Sequence, residues 1–94
     1  MKIDLPVVKY KLENGLTVLL LEDHTVPMIS YHTWYRVGSR QESPGVTGAA
    51  HMLEHMMFKG TKKRPTPMSI STIIDSVGGA YNAFTSKEYT GFYI

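Results

Sequence analysis

Two histidines and a glutamate within five residues, His51, Glu54 and His55, are the side chains of this sequence best suited to chemistry. If the stretch is helical, each residue advances about 100° around the axis. His51 and His55 then stand one turn apart, roughly 40° around from each other, with Glu54 on the flank of the same face. Imidazoles at i and i+4 can hold one Zn²⁺ through ring nitrogens at about 2.0–2.1 Å and leave other coordination positions open. A carboxylate beside such a metal can take a proton from a water that the metal has brought to a pKa near 7. Metal-assisted hydrolysis is within reach of these three side chains.

The helix that would carry them runs over TGAAHMLEHMMF, residues 47–58. Ala49, Met52, Leu53 and Met56 follow the i, i+3, i+4, i+7 spacing and form one apolar stripe, expected to face the core. His51, Glu54, His55 and Phe58 follow the same spacing on nearly the opposite face. No side carries the lysine and glutamate coating of a solvated helix. Glu54 and the two histidines are the only ionisable groups from Thr47 to Phe58. Burying them without a metal or strong partners is costly, which favours a site over simple packing. Thr47 is placed to cap the start of this helix and Gly60 to stop it.

Strands must hold the helix in place. Val7–Leu12 and Leu16–Leu21 flank Glu13-Asn14-Gly15, and Asn-Gly between two strand-like runs signals a hairpin. The run Leu19-Leu20-Leu21 suggests a strand covered on both faces. Glu22–Pro27 reads as a loop that leaves His24 facing solvent. Met28–Val37, rich in β-branched and aromatic residues, is the next and longest strand. His32 lies there beside Trp34, where packing explains it without a metal. Gly38–Gly45 is a turn cluster. After the proline-punctuated connector Thr61–Pro67, a second helix is expected over Ser69–Val77, capped by Ser69, with Ile70, Ile73, Ile74 and Val77 as its stripe. Gly78-Gly79 closes it. Ala80–Thr85 and Tyr89–Ile94 read as two strands joined at 86–88. The order β-β-β-α-α-β-β predicts an α+β fold, a largely antiparallel sheet with helices packed on one face.

Composition narrows the function classes. A chain of 94 residues is at most one small domain. Its 43% hydrophobic and 19% charged residues are ordinary for a globular protein, and a net charge of +2 implies no polyanionic partner. Lys59, Lys62, Lys63 and Arg64 follow the motif helix, where they suit its C-terminal dipole. No aromatics are interleaved among them, so no nucleic-acid role is expected. The lack of cysteine excludes disulfides and thiolate metal sites. No apolar run is long enough for a transmembrane helix. The start, Met1 to Pro6, lacks the apolar core of a signal peptide. A cytoplasmic location is expected if the N-terminus is complete, and a periplasmic or organellar one if an export signal was removed. Glu88–Ile94 stops on apolar strand residues with no turn after them, so residues 1–94 read as the amino-terminal part of a larger catalytic domain, cut at its C-terminal end.

Several stretches together resemble one family. His51-Met52-Leu53-Glu54-His55, continuing to Gly60 and Thr61, is similar to the zinc helix of the pitrilysin/insulinase metallopeptidases, which include the mitochondrial processing peptidases. Its H-x-x-E-H order is the inverzincin motif. Leu12–Leu16 resembles the family's opening hairpin, Trp34–Ser39 its pre-helix strand, and Gly78–Thr85 the strand after its second helix. The resemblance implies a zinc-dependent endopeptidase with Zn²⁺ on His51 and His55 and with Glu54 as general base. It implies a third ligand, a glutamate, beyond Ile94. It also implies an edge strand at Asn82 and Ala83 that pairs with an extended peptide or protein substrate, against the plain reading of an internal strand. A second homologous half or subunit would close over that substrate. The alternative is a non-catalytic scaffold or peptide-binding subunit of the same family.

Overall fold

The structure is a computed structural model, and residues 4–94 are described. The expectation for the first residues falls partly on 1–3, outside the described residues. Two separate antiparallel sheets and two helices make up the architecture, an α+β arrangement. The first sheet is a hairpin of β1 (Val8–Lys11) and β2 (Thr17–Leu20), in register from Val8 opposite Leu20 to Lys11 opposite Thr17. Its turn forms where Asn-Gly predicts it. Asn14 Oδ1 accepts from the Leu16 N–H at 3.0 Å, and Gly15 takes φ +89°, a conformation that glycine adopts without penalty. In the following loop the Thr25 backbone N–H, helped by the Thr25 hydroxyl, holds the Asp23 carboxyl below the usual carboxylate range.

The second sheet has the order β3-β5-β4 and is antiparallel throughout. Its strands are β3 (His32–Tyr35), β4 (Asn82–Thr85) and β5 (Thr90–Tyr93). The strand expected over Met28–Val37 is therefore shorter. Outside His32–Tyr35 it gains the mutual Tyr31–Ile94 bonds of 2.9 and 3.0 Å, and Ile29 is left 90% exposed. Beyond β3, a 3₁₀ turn (Ser39–Gln41) leans on the β4–β5 turn. The Ser39 and Arg40 N–H groups donate to the Ser86 and Lys87 carbonyls at 3.1 and 2.8 Å, and Arg40 pairs with Glu88. Gly38 is required by this approach, since a Cβ there would lie 2.2 Å from the Ser86 carbonyl oxygen.

Helix α1 spans Ala49–Met56 and α2 spans Pro67–Asp75. Both caps differ from the expected ones. Gly48, at φ +88°, occupies the N-cap of α1, and no side-chain cap bond forms there. Thr47 thus falls one residue outside the cap, and the Ala49 N–H is met instead by Glu42 Oε2 at 2.7 Å. After Met56 the chain continues in turns to Gly60, whose φ of +127° ends them. Helix α2 starts two residues earlier than Ser69. Pro67 takes the first helical position, as its fixed φ favours. Thr66 caps by accepting the Ser69 N–H at 3.1 Å, and Ser69 Oγ accepts the Thr66 N–H in return at 3.2 Å. That reciprocal pair is a capping box with serine in the third position.

Packing departs most from expectation. Helix α1 lies against β4, but the face it turns to the sheet is the one with Glu54 and Phe58. Phe58 stacks on Tyr81 at 5.5 Å and lies 6.3 Å from Phe92. The stripe expected to be buried is uncovered, with Met52 64% exposed. Leu19, Leu20 and Leu21 are likewise exposed rather than sandwiched. The reason is one of supply: among the described residues no layer covers either the hairpin or the outer side of α1, and no large apolar side chain is fully buried. The radius of gyration is 16.5 Å, against about 12 Å for a compact domain of this length. Within the described residues, no helix is long and apolar enough to cross a membrane.

Candidate metal centre

One turn of α1 brings the two imidazoles together. The rings of His51 and His55 are 4.5 Å apart between centroids and inclined by 64°. Their Nε2 atoms approach to 2.8 Å, so here one ring nitrogen carries the proton that the other accepts. A metal bound by both would displace that shared proton to solvent and accept one lone pair from each nitrogen. Tetrahedral zinc with Zn–N near 2.05 Å sets two ligand nitrogens about 3.3 Å apart. An opening of roughly half an ångström, within reach of small χ rotations of exposed rings, accommodates it. The donor set fits zinc. Among the described residues no third histidine, cysteine, aspartate or glutamate joins the pair.

The other candidates lie elsewhere. His24 pairs with Glu22 in its exposed loop. His32 accepts or donates to Ser30 Oγ at 3.1 Å and stacks on Tyr93 at 5.3 Å, as packing alone requires. Glu88 is occupied by Arg40.

Glu54 reaches toward the sheet. Its Oε2 accepts a hydrogen bond from Thr85 Oγ1 at 2.7 Å, across from the end of β4. An open cleft of about 380 Å³ separates the helix from that strand, lined by Glu54, His55, Phe58, Lys59, Tyr81 and Asn82. Glu54 and His55 of the motif and Asn82 of β4 thus share one hollow. A larger one, about 570 Å³, lies at the Ser39–Arg40 and Ser86–Tyr89 turns, where Arg40 pairs with Glu88.

Among the described residues β4 has one partner, β5, and its other side is an open edge. The bonds that fix the ladder show which groups face out. Tyr31 and Ile94 exchange both backbone bonds, and the Ser86 N–H donates to the Tyr89 carbonyl at 2.9 Å. Alternation along antiparallel strands then directs Asn82 and Phe84 toward β5, and the N–H and C=O of Ala83 and Thr85 toward the edge. The Ala83 N–H is met there by its neighbour's Asn82 Oδ1 at 2.8 Å. Sequence reading had no signal for the Thr85 contact beyond strand alternation, which sets Ala83 and Thr85 on one face. Nor did it separate Lys59 from the basic cluster that follows it.

With this geometry the chain falls into a known class. Residues 17–94 match the insulinase family, peptidase family M16, and the chain belongs to it. An uncharacterized zinc protease of Streptomyces coelicolor is 48% identical over 82 residues, covering 87% of this chain and 18% of that protein. The beta subunit of the mitochondrial-processing peptidase of Dictyostelium discoideum is 46% identical over 83 residues, 88% of this chain and 18% of its own. Among solved structures, a protease from Helicobacter pylori superposes with a TM-score of 0.82 at 36% identity, over 95% of this chain and 21% of that one. The chain spans about a fifth of the length of the relatives it matches.

Proposed function

We propose that residues 1–94 are the amino-terminal part of a zinc metalloendopeptidase domain. In this reading His51 and His55 hold the metal through Nε2, and a glutamate downstream of Ile94 completes the protein ligands. The observation that carries it is the convergence of two imidazole nitrogens at 2.8 Å beside a carboxylate that is tied to a neighbouring open strand edge. When bound, zinc supplies Lewis acidity, acidifying a water and polarising a carbonyl oxygen. Glu54 takes the proton of the attacking water and returns it to the leaving amine. The edge of β4 receives the substrate as an added strand, through backbone groups and hence with little dependence on sequence. Asn82 releases the Ala83 N–H for that purpose. A second homologous half or subunit closes the cleft, a role that the subunit organisation of the mitochondrial relative supports.

Hydrolysis of an unstructured peptide by the full-length protein tests this directly. Chelation should abolish it and zinc should restore it; turnover that survives chelation would remove the metal from the account. In the same assay Ala83→Pro should weaken turnover strongly while leaving stability nearly unchanged. The N–H it deletes faces the edge and not β5, so the sheet keeps its ladder and only an added strand loses a bond. Normal hydrolysis by a normally stable Ala83→Pro protein would show that substrate does not bind at this edge.

A further inference from the structure

Glu54 and Thr85 are 31 residues apart in sequence, yet their bond is as short as a charge-assisted one should be, 2.7 Å. Both residues are half-buried, whereas His51 and His55 on the same helix are exposed. Among the described residues no other side chain donates to this carboxylate. The hydroxyl engages Oε2 and leaves Oε1 free.

Thr85 is itself held firmly. It pairs across the ladder with Thr90, which is only 5% exposed and donates its own hydroxyl to the Val37 carbonyl at 2.8 Å. The next pair, Phe84 and Gly91, is locked by the phenyl ring lying over the glycine, where a Cβ would meet it at 2.3 Å. A β-branched side chain on such a strand has few χ1 choices, so the hydroxyl has a defined direction. Glutamate, by contrast, has a long side chain with many rotamers and nothing on its own helix to fix it.

We infer that Thr85 is a positioning residue: its hydroxyl holds one oxygen of the Glu54 carboxylate, Oε2, and leaves Oε1 free to take a proton. The same bond links the orientation of the base to the strand proposed to receive substrate. This inference rests on Glu54 being the general base. Side-chain replacement at Thr85 leaves its edge-facing backbone groups in place, so the effect belongs in kcat and not in KM.

The test uses the full-length protein and one unstructured peptide, with Glu54→Gln run alongside. Thr85→Val keeps the branching and volume but deletes the hydroxyl; Thr85→Ser keeps the hydroxyl. A misplaced catalytic group costs on the order of a hundredfold, so Thr85→Val should lower kcat by about ten- to a hundredfold. KM and zinc content should stay near the parent values, and Thr85→Ser should restore most of the rate. In metal-free protein, Thr85→Val should lower Tm when Glu54 is present and not in a Glu54→Ala background, a coupling that reads the bond without any catalysis. If Thr85→Val does not fold, Thr85→Ala takes its place against Thr85→Ser. An unchanged kcat in Thr85→Val while Glu54→Gln is inactive overturns the role of Thr85 and leaves the base intact. Equal losses in the valine and serine variants overturn it too, since packing would then explain both. Full activity in Glu54→Gln overturns the base reading itself, and the inference falls with it.

Discussion

Glu54→Gln is expected to reduce peptide turnover by at least about a hundredfold and by as much as ten-thousandfold, the range over which a positioned general base acts. The substitution is nearly isosteric, and the amide oxygen can still accept the Thr85 hydroxyl that now reaches Oε2. Fold and contact therefore persist while the basic oxygen is lost. Steady-state kinetics on an unstructured peptide measures the effect in the full-length protein. Retained turnover would take the proton-transfer role away from Glu54.

His51→Ala and His55→Ala should be more severe, each leaving no activity above background. Removing either ring leaves one imidazole where two now converge. No group nearby can take its place among the described residues: His24 and His32 are engaged in their own elements, and Glu54 is turned toward Thr85. Both histidines are exposed, so neither change creates a core cavity. Loss of function with an unchanged Tm in metal-free protein would separate a chemical effect from a structural one.

Element types and their order were legible because each depends on local pattern. Asn14-Gly15 dictated a hairpin, the runs Ala80–Thr85 and Tyr89–Ile94 read as two strands joined at 86–88, and the i, i+4 spacing of His51 and His55 brought their rings together once the helix formed. Boundaries were less legible because caps depend on partners. Glu42 reaches Ala49 from seven residues upstream, which no spacing rule announces. Thr66 precedes a proline that itself marks the helix start, so the sequence carries that signal two residues before Ser69.

Orientation was the deeper miss. Amphipathicity assigns Met52, Leu53 and Met56 to a core, yet they are exposed and the chemical face meets the sheet. Periodicity reports that a helix has two unlike faces; it does not say which surface lies nearest in space. The site was legible as far as the helix carried it. The edge at Asn82–Ala83 was implied by the family resemblance alone; the residues themselves read equally as an internal strand, because strand order, here β5 between β3 and β4, is not written in any one strand.

The central claim is that His51 and His55 hold the metal and Glu54 does not. Zinc bound per chain, measured by metal analysis on full-length His51→Ala, His55→Ala and Glu54→Gln proteins dialysed side by side, tests it most directly. The account predicts full stoichiometry in Glu54→Gln and none in either histidine variant. Zinc retained without one of the histidines, or lost with the glutamine, would contradict it.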